Sequence, residues 1–380
     1  MHFNIKSFLL FIISFLLIIL LFELVNGFWF SSKLEKELLK INALYNINIE
    51  IDPNDYYESN KKIAYTRNQF GFRDNCDGPN KIDMISIGGS TTDQRYIDFE
   101  NTFQKKLQNR LEESKINLCI SNAGVDGHTS LGHVLSLENW FPLIENFKPK
   151  YYFLYIGIND AVFIGQNNQQ KDEKNNFLAY LKFKIKQNSY LYWFYNKFKN
   201  YFMQYDNKFG ILAHKKNIKN FYEYSSQKTN KHFENDLIKN SLQFRKNFSK
   251  ILESIKDSKS NAICLTQPHR FLKNNLGIKN AFKYNERYLN GKDLDFSLQL
   301  INQHIKELCQ KNNAIFLDTG DLNFEEDDFY DFVHLNNKGN AKLADFLYIN
   351  LVNKIKIDHN NLLKNSKKLR IKQLLENEEK

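Results

Sequence analysis

Apolar and polar positions fall into three regimes along the chain. In the first, residues 8–22 are apolar except for Ser14, and the run continues to Phe30 with one charge, Glu23. That length can cross about 30 Å of hydrocarbon, and Phe28, Trp29 and Phe30 suit a membrane–water interface. No A-x-A cleavage pattern follows, so residues 1–30 are expected to form an uncleaved N-terminal transmembrane helix. The second regime, residues 31–64, is polar. SSKLEKELLKINALY reads as a charged helix and DPNDYYESNKK as a linker, so a stalk is expected there.

The third regime starts at Tyr65. Short apolar runs at 84–89, 116–121, 151–157, 262–266 and 314–318 read as strands. Helical patterns separate them, at 102–114, 131–144, 233–255, 298–312 and 337–355. This alternation predicts an α/β fold: a three-layer α/β/α sandwich around a five-stranded parallel sheet, flavodoxin-like. Its expected extent is 65–356, with a helical insertion at about 161–230 and a charged tail at 357–380. The aromatic- and lysine-rich stretch 187–210 in the insertion reads as a helical pair on the core, or as a cap or membrane-facing surface. In such sheets ligands bind at the carboxyl ends of strands. The loops 88–92, 122–129 and 157–160 would then open onto one rim.

Charge and cysteines alter this picture little. The formal net charge is +10, but basic residues are scattered through an Asn- and Lys-rich chain. No nucleic-acid motif accompanies them, so no nucleic-acid partner is expected. The basic tail reads as a solvated helix, or as one drawn to anionic lipid or polysaccharide. Four cysteines, Cys76, Cys119, Cys264 and Cys309, form no CxxC pair, which argues against a metal knuckle. Buried structural thiols are the expectation.

Chemistry concentrates in four short segments. Gly88-Gly89-Ser90-Thr91-Thr92 closes the first strand. Ser90 there could cap a helix, or carry an exposed hydroxyl at a helix's positive end. Neither GxGxxG nor GxxxxGK[ST] is present, and the sequence is not GxSxG. Asp331 and His334 are three residues apart and follow the last strand. They suit either a surface pair or an oriented imidazole. Asn159 and Asp160 follow the third strand, where Asn usually forms a turn and could also present an amide donor. Asn122 to Thr129 contains Gly124 and Gly127, whose backbone N–H groups could join such donors in an oxyanion hole.

Taken together in chain order, the four segments resemble the SGNH hydrolase family, the GDSL-like lipase/esterase superfamily, in a membrane-anchored GGST form. GGST matches the nucleophile block, NAGVDGHTS the glycine block, GIND the GxND block and DFVH the DxxH block. The resemblance spans roughly 65–355. It implies Ser90 as nucleophile, His334 as general base and Asp331 as its orienter. It implies an oxyanion hole from the backbone of Ser90 and Gly127 and the side chain of Asn159. Asn122, Gly89 and Asp160 would support these loops. Gly89 and Thr91 stand where the family often has Asp and Leu, which weakens any inference to lipases. Arg67 to Asp74 also resembles a segment seen ahead of the nucleophile in such members, with Arg73 as a core ion-pair partner or a substrate contact.

The resemblance implies a serine esterase acting without metal or cofactor on a short acyl ester of a cell-envelope carbohydrate or lipid. Alternatives are an O-acyltransferase using the same serine, and a non-catalytic membrane-tethered binding protein. No obligate protein partner is inferred. The catalytic domain is expected outside the cytoplasm, on the periplasmic side of a bacterial inner membrane.

Overall fold

The computed structural model describes residues 5–55, 61–163, 223–279, 282–284, 287–320 and 322–378, with positions 185, 189–192, 194 and 195. Most of the insertion expected at 161–230 lies outside the described residues.

Helix α1, Ile5–Asn26, covers 22 residues. At 1.5 Å per residue it is about 33 Å long. Its apolar side chains are exposed, and by length and composition it can cross a membrane. Helix α2, Lys33–Lys40, opens with a capping box between Ser32 and Glu35. Strands β1, Ile47–Ile51, and β2, Ile63–Arg67, pair antiparallel. The segment expected as a stalk therefore has structure of its own. Leu38, Ile41 and Ala43 are buried in the main core rather than standing off from it.

The central sheet contains β3 (Ile82–Gly88), β4 (Cys119–Asn122), β5 (Tyr151–Tyr155), β6 (Asn261–Leu265) and β7 (Ile315–Leu317). Their spatial order is β7-β6-β5-β3-β4, and every pairing is parallel. Numbered within this sheet, the order is 2-1-3-4-5, the flavodoxin-like arrangement. Chain order reverses between β3 and β5, and the loop after each carries an expected site residue.

Side chains alternate across each strand, as a two-residue period requires. Met84, Phe153, Tyr155, Ile263 and Leu265 enter one core with helix α4, Phe103–Glu113. The C-terminal helix α9, Asn337–Glu378, covers the same side with Leu343, Leu347 and Leu351. Ile85, Ile87, Leu154 and Cys264 enter the opposite core with helices α7, Lys231–Asp257, and α8, Gly291–Lys311. This gives the three layers expected. The tail expected from residue 357 continues α9 as helix.

Two expectations differ in detail. The helix expected over 131–144 is α5, Ser130–Leu135, followed by a wide turn to Trp140 and a tight turn holding Pro142. Proline lacks the N–H that would continue the helix. The expected free thiols are disulfides, Cys76–Cys119 and Cys264–Cys309, with Cα separations of 5.8 and 6.6 Å. Spatial approach of the chain, not local sequence, decides such pairing.

Candidate active site

Ser90 is the first residue of a four-residue helix, α3, Ser90–Asp93, directly after β3. Its N–H lies in the first turn, where helical N–H groups have no intrahelical acceptor. Three glycines make this turn fit. A Cβ at Gly88 would meet Thr92 Oγ1 at 2.0 Å and the Tyr155 carbonyl at 2.3 Å. At Gly89 it would meet Asn159 Nδ2 at 2.4 Å, and at Gly124 the Asp93 N–H nitrogen at 2.3 Å.

The turn after β7 carries Asp331 and His334 to the same rim. His334 Nε2 lies 2.7 Å from Ser90 Oγ, and His334 Nδ1 lies 2.6 Å from Asp331 Oδ2. Asp331 Oδ1 accepts the N–H groups of Val333 and His334, at 2.9 and 2.7 Å. One carboxylate oxygen thus shapes the loop and the other orients the ring. An Nδ1–H donated to Asp331 leaves the Nε2 lone pair for the serine hydroxyl. Tyr330 stacks on the imidazole, with ring centroids 5.4 Å apart. All three polar residues are buried, Ser90 at 6% exposure.

The glycine loop runs from β4 to α5. Asn122 joins it to the serine turn: its Nδ2 donates to the Thr92 carbonyl at 2.6 Å, and its Oδ1 accepts from Gly124 N–H at 2.8 Å. Gly127 has φ +75° and open space where a Cβ would stand. Among the described residues no backbone acceptor takes the Ser90 or Gly127 N–H. Asn159 lies in helix α6, Ile158–Val162, after β5, with its Nδ2 beside Gly89. Asp160 is fully buried. It accepts from Ser130 N–H at 2.8 Å and Ser130 Oγ at 2.5 Å, tying the Asn159 turn to the start of α5. Burial pushes its carboxyl up to about 7.

All expected site residues therefore gather at the carboxyl ends of β3, β4, β5 and β7. Several residues that support them drew no such expectation. Gln267 follows β6 on the same rim; its Nε2 donates to Thr91 Oγ1 at 2.6 Å and its Oε1 accepts from Ile158 N–H at 2.7 Å. A polar residue closing an apolar strand was the available signal. Arg67 is buried, and it donates to the carbonyls of Gly124 at 2.7 Å, Gly71 at 2.8 Å and Asn122 at 3.2 Å, and pairs with Asp93. Burial pushes the Asp93 carboxyl up, but Arg67 and Arg95 outweigh it and hold it below its usual range. Arg73 is 1% exposed, and among the described residues its guanidinium binds backbone carbonyls rather than a carboxylate. It donates to the carbonyls of Gln94 at 2.8 Å and Ile97 at 2.7 Å. Arg67 and Arg73 thus brace the serine turn and glycine loop from behind.

Comparison with known proteins adds the following. The family model described as "GDSL-like Lipase/Acylhydrolase family" matches residues 86–342. Among curated proteins nothing matches the chain. Solved structures match the chain at low identity. One is a member of the lipolytic protein G-D-S-L family from Veillonella parvula: 15% identity, 70% of this chain and 96% of that chain covered, TM-score 0.39. Another is a catalytic mutant of an acetylxylan esterase from Geobacillus stearothermophilus: 13% identity, 70% and 91% covered, TM-score 0.39.

Proposed function

The chain belongs to the GDSL-like lipase/acylhydrolase family and is an ester-bond hydrolase, and from that premise we propose a Ser-His-Asp double displacement centred on Ser90. The observation that carries this reading is the unbroken row from Ser90 Oγ through His334 to Asp331, at 2.7 and 2.6 Å. Ser90 Oγ attacks the ester carbonyl carbon while its proton passes to His334 Nε2. The carbonyl oxygen becomes an oxyanion facing the Ser90 and Gly127 N–H groups and the Asn159 amide. Collapse expels the alcohol, which takes the proton from Nε2, and leaves acyl-Ser90. Water then attacks with the same base, and the acid departs. Asp331 stabilises the imidazolium in both halves.

The proposed substrate is a short acyl ester, such as an O-acetyl group, on a cell-envelope carbohydrate or lipid. Two features support it. Helix α1 would hold the domain at a membrane, within reach of envelope polymers. The two disulfides suit an oxidising compartment, which favours a catalytic domain outside the cytoplasm.

The test is hydrolysis of short- and long-chain p-nitrophenyl esters by the full-length chain. Turnover should favour the short chain and vanish in Ser90→Ala. Activity retained in that variant refutes the assignment. Acyl groups recovered on an added glycan instead of in free acid would mark a transferase.

A further inference from the structure

The glycine loop carries an oxyanion donor at its tip, where exposed Asp126 pairs with Arg95 at 3.6 Å and Gly127 has open space beside its Cα. In mid-loop, Val125 N–H donates to the Gly88 carbonyl at 2.9 Å. The two ends are tied separately. At one end Arg67 takes the Gly124 carbonyl. At the other stands His128, next to Gly127.

His128 makes three polar contacts. Its backbone N–H donates to the Val125 carbonyl at 3.1 Å. Its carbonyl accepts from Asn159 Nδ2 at 2.8 Å. An amide nitrogen has two hydrogens, so this bond occupies one and fixes the direction of the other. That nitrogen lies beside Gly89, next to the serine. The His128 ring reaches outward, its Nε2 lying 2.5 Å from the carbonyl of Ile41. Ile41 caps the C-terminus of α2, where carbonyls have no intrahelical donor. Ring Nδ1 has no partner among the described residues, so the Ile41 carbonyl is the ring's hydrogen-bond anchor. Burial lowers the affinity of His128 for a second proton and keeps the ring a neutral donor at Nε2. His133 stands 5.5 Å away and is held neutral first by its own burial, then by His128.

Helix α2 is in turn locked to the domain. Leu38 is fully buried, beside Trp140 at Gly71. Its first residue, Lys33, follows the end of α1 at Asn26 closely in the chain. A continuous path therefore joins the membrane-proximal helix to the oxyanion hole: Ile41 carbonyl, His128 ring, His128 carbonyl, Asn159 amide.

We propose that His128 is a positioning residue for the oxyanion donors Gly127 and Asn159, and that through Ile41 it makes helix α2 part of the catalytic apparatus. This rests on the roles given above to Ser90, Gly127 and Asn159. His128 touches no reacting atom. It sets where the donors stand, and a donor misplaced by a fraction of an ångström loses transition-state stabilisation while leaving substrate binding nearly intact.

The test uses the full-length chain in detergent, with active sites counted by complete labelling of Ser90 with a fluorophosphonate. His128→Phe keeps the ring's bulk and removes the donor; kcat per labelled site should fall roughly 10- to 100-fold with KM within about twofold. An alkyl boronate, which forms a tetrahedral adduct on the serine, should bind more weakly by the same factor. His128→Gln, whose amide nitrogen can reach the Ile41 carbonyl, should recover most of the loss. A purely structural histidine predicts fewer labelled sites with wild-type kcat at each, and that result overturns the proposal. Should the phenylalanine variant not fold, His128→Asn, too short to span the gap, carries the same readout. Leu38→Ala should lower kcat selectively, and adding His128→Phe should cost little more; losses that multiply overturn the link to α2. Ester turnover that survives Ser90→Ala would instead remove the esterase reading and this inference with it.

Discussion

The two halves of the proposed catalytic row are held by different means. The acid–base half is held mainly by its own turn, with one distant tie from Arg270 N–H to the Phe332 carbonyl at 2.7 Å. Asp331 accepts two N–H groups from its own turn, and Tyr330 N–H donates to the His334 carbonyl at 3.1 Å. The nucleophile and oxyanion half is held from a distance. Arg67 bridges to Gly124 across 57 positions, Gln267 to Thr91 across 176, and Asn240 and Asn247 of α7 reach Asp160 and Ser130. A turn that folds on its own hydrogen bonds can be altered without disturbing the core. A turn clamped by buried charges cannot.

Asp331→Asn should break the local half with the largest effect on rate. The amide keeps an acceptor for the turn but disturbs the tautomer of His334, so kcat should fall on the order of 10³–10⁴-fold. Thermal unfolding should shift little. A large loss of stability would show that the loop depends on the charge itself.

Arg67→Met should break the distant half through stability. It leaves Asp93 buried and charged beside partly exposed Arg95, at an expected cost of about 3–5 kcal/mol. Denaturant titration measures this. Adding Asp93→Asn should restore part of it, and a double variant no better than the single would show that the ion pair is not the source.

Asn159→Ala separates rate from stability within the distant half. Loss of one oxyanion donor should lower kcat about 10²–10³-fold with KM nearly unchanged. A matching rise in KM would mean that Asn159 binds substrate rather than the transition state.

Asp160 gives the smallest and most gradual effect. Burial raises its folded carboxyl to about 7, well above the ordinary unfolded value of about 3.9. Between these values the folded chain holds a proton that the unfolded chain has lost. Its contribution to stability is therefore full below about pH 4 and is lost as pH rises through about 7. Asp160→Asn should flatten that part of the profile, as read from unfolding midpoints at pH 5 and pH 8. An unchanged slope would show that Asp160 is ionised throughout.

Much of this molecule is legible in one dimension because it rests on short-range rules. Apolar runs bounded by polar residues marked all five sheet strands. Strands β4, β5 and β7 came out two residues shorter than their apolar runs. Ser90, Asp331 and His334 could be proposed from the sequence because their short segments resemble the blocks of a known family; the residues alone left each reading open.

What the tertiary structure alone decided is the set of contacts between distant segments. Four cysteines joined as two pairs, although composition suggested isolated thiols. The polar segment after α1 folded against the core, because Leu38, Ile41 and Ala43 found an apolar surface that the rest of the chain supplied. Arg67, Gln267, Asp160 and His128 became supports for the site only when other loops brought carbonyls, amides and hydroxyls to them. A buried polar group is defined by its partner, and a partner dozens of residues away is chosen by the fold rather than by neighbouring sequence.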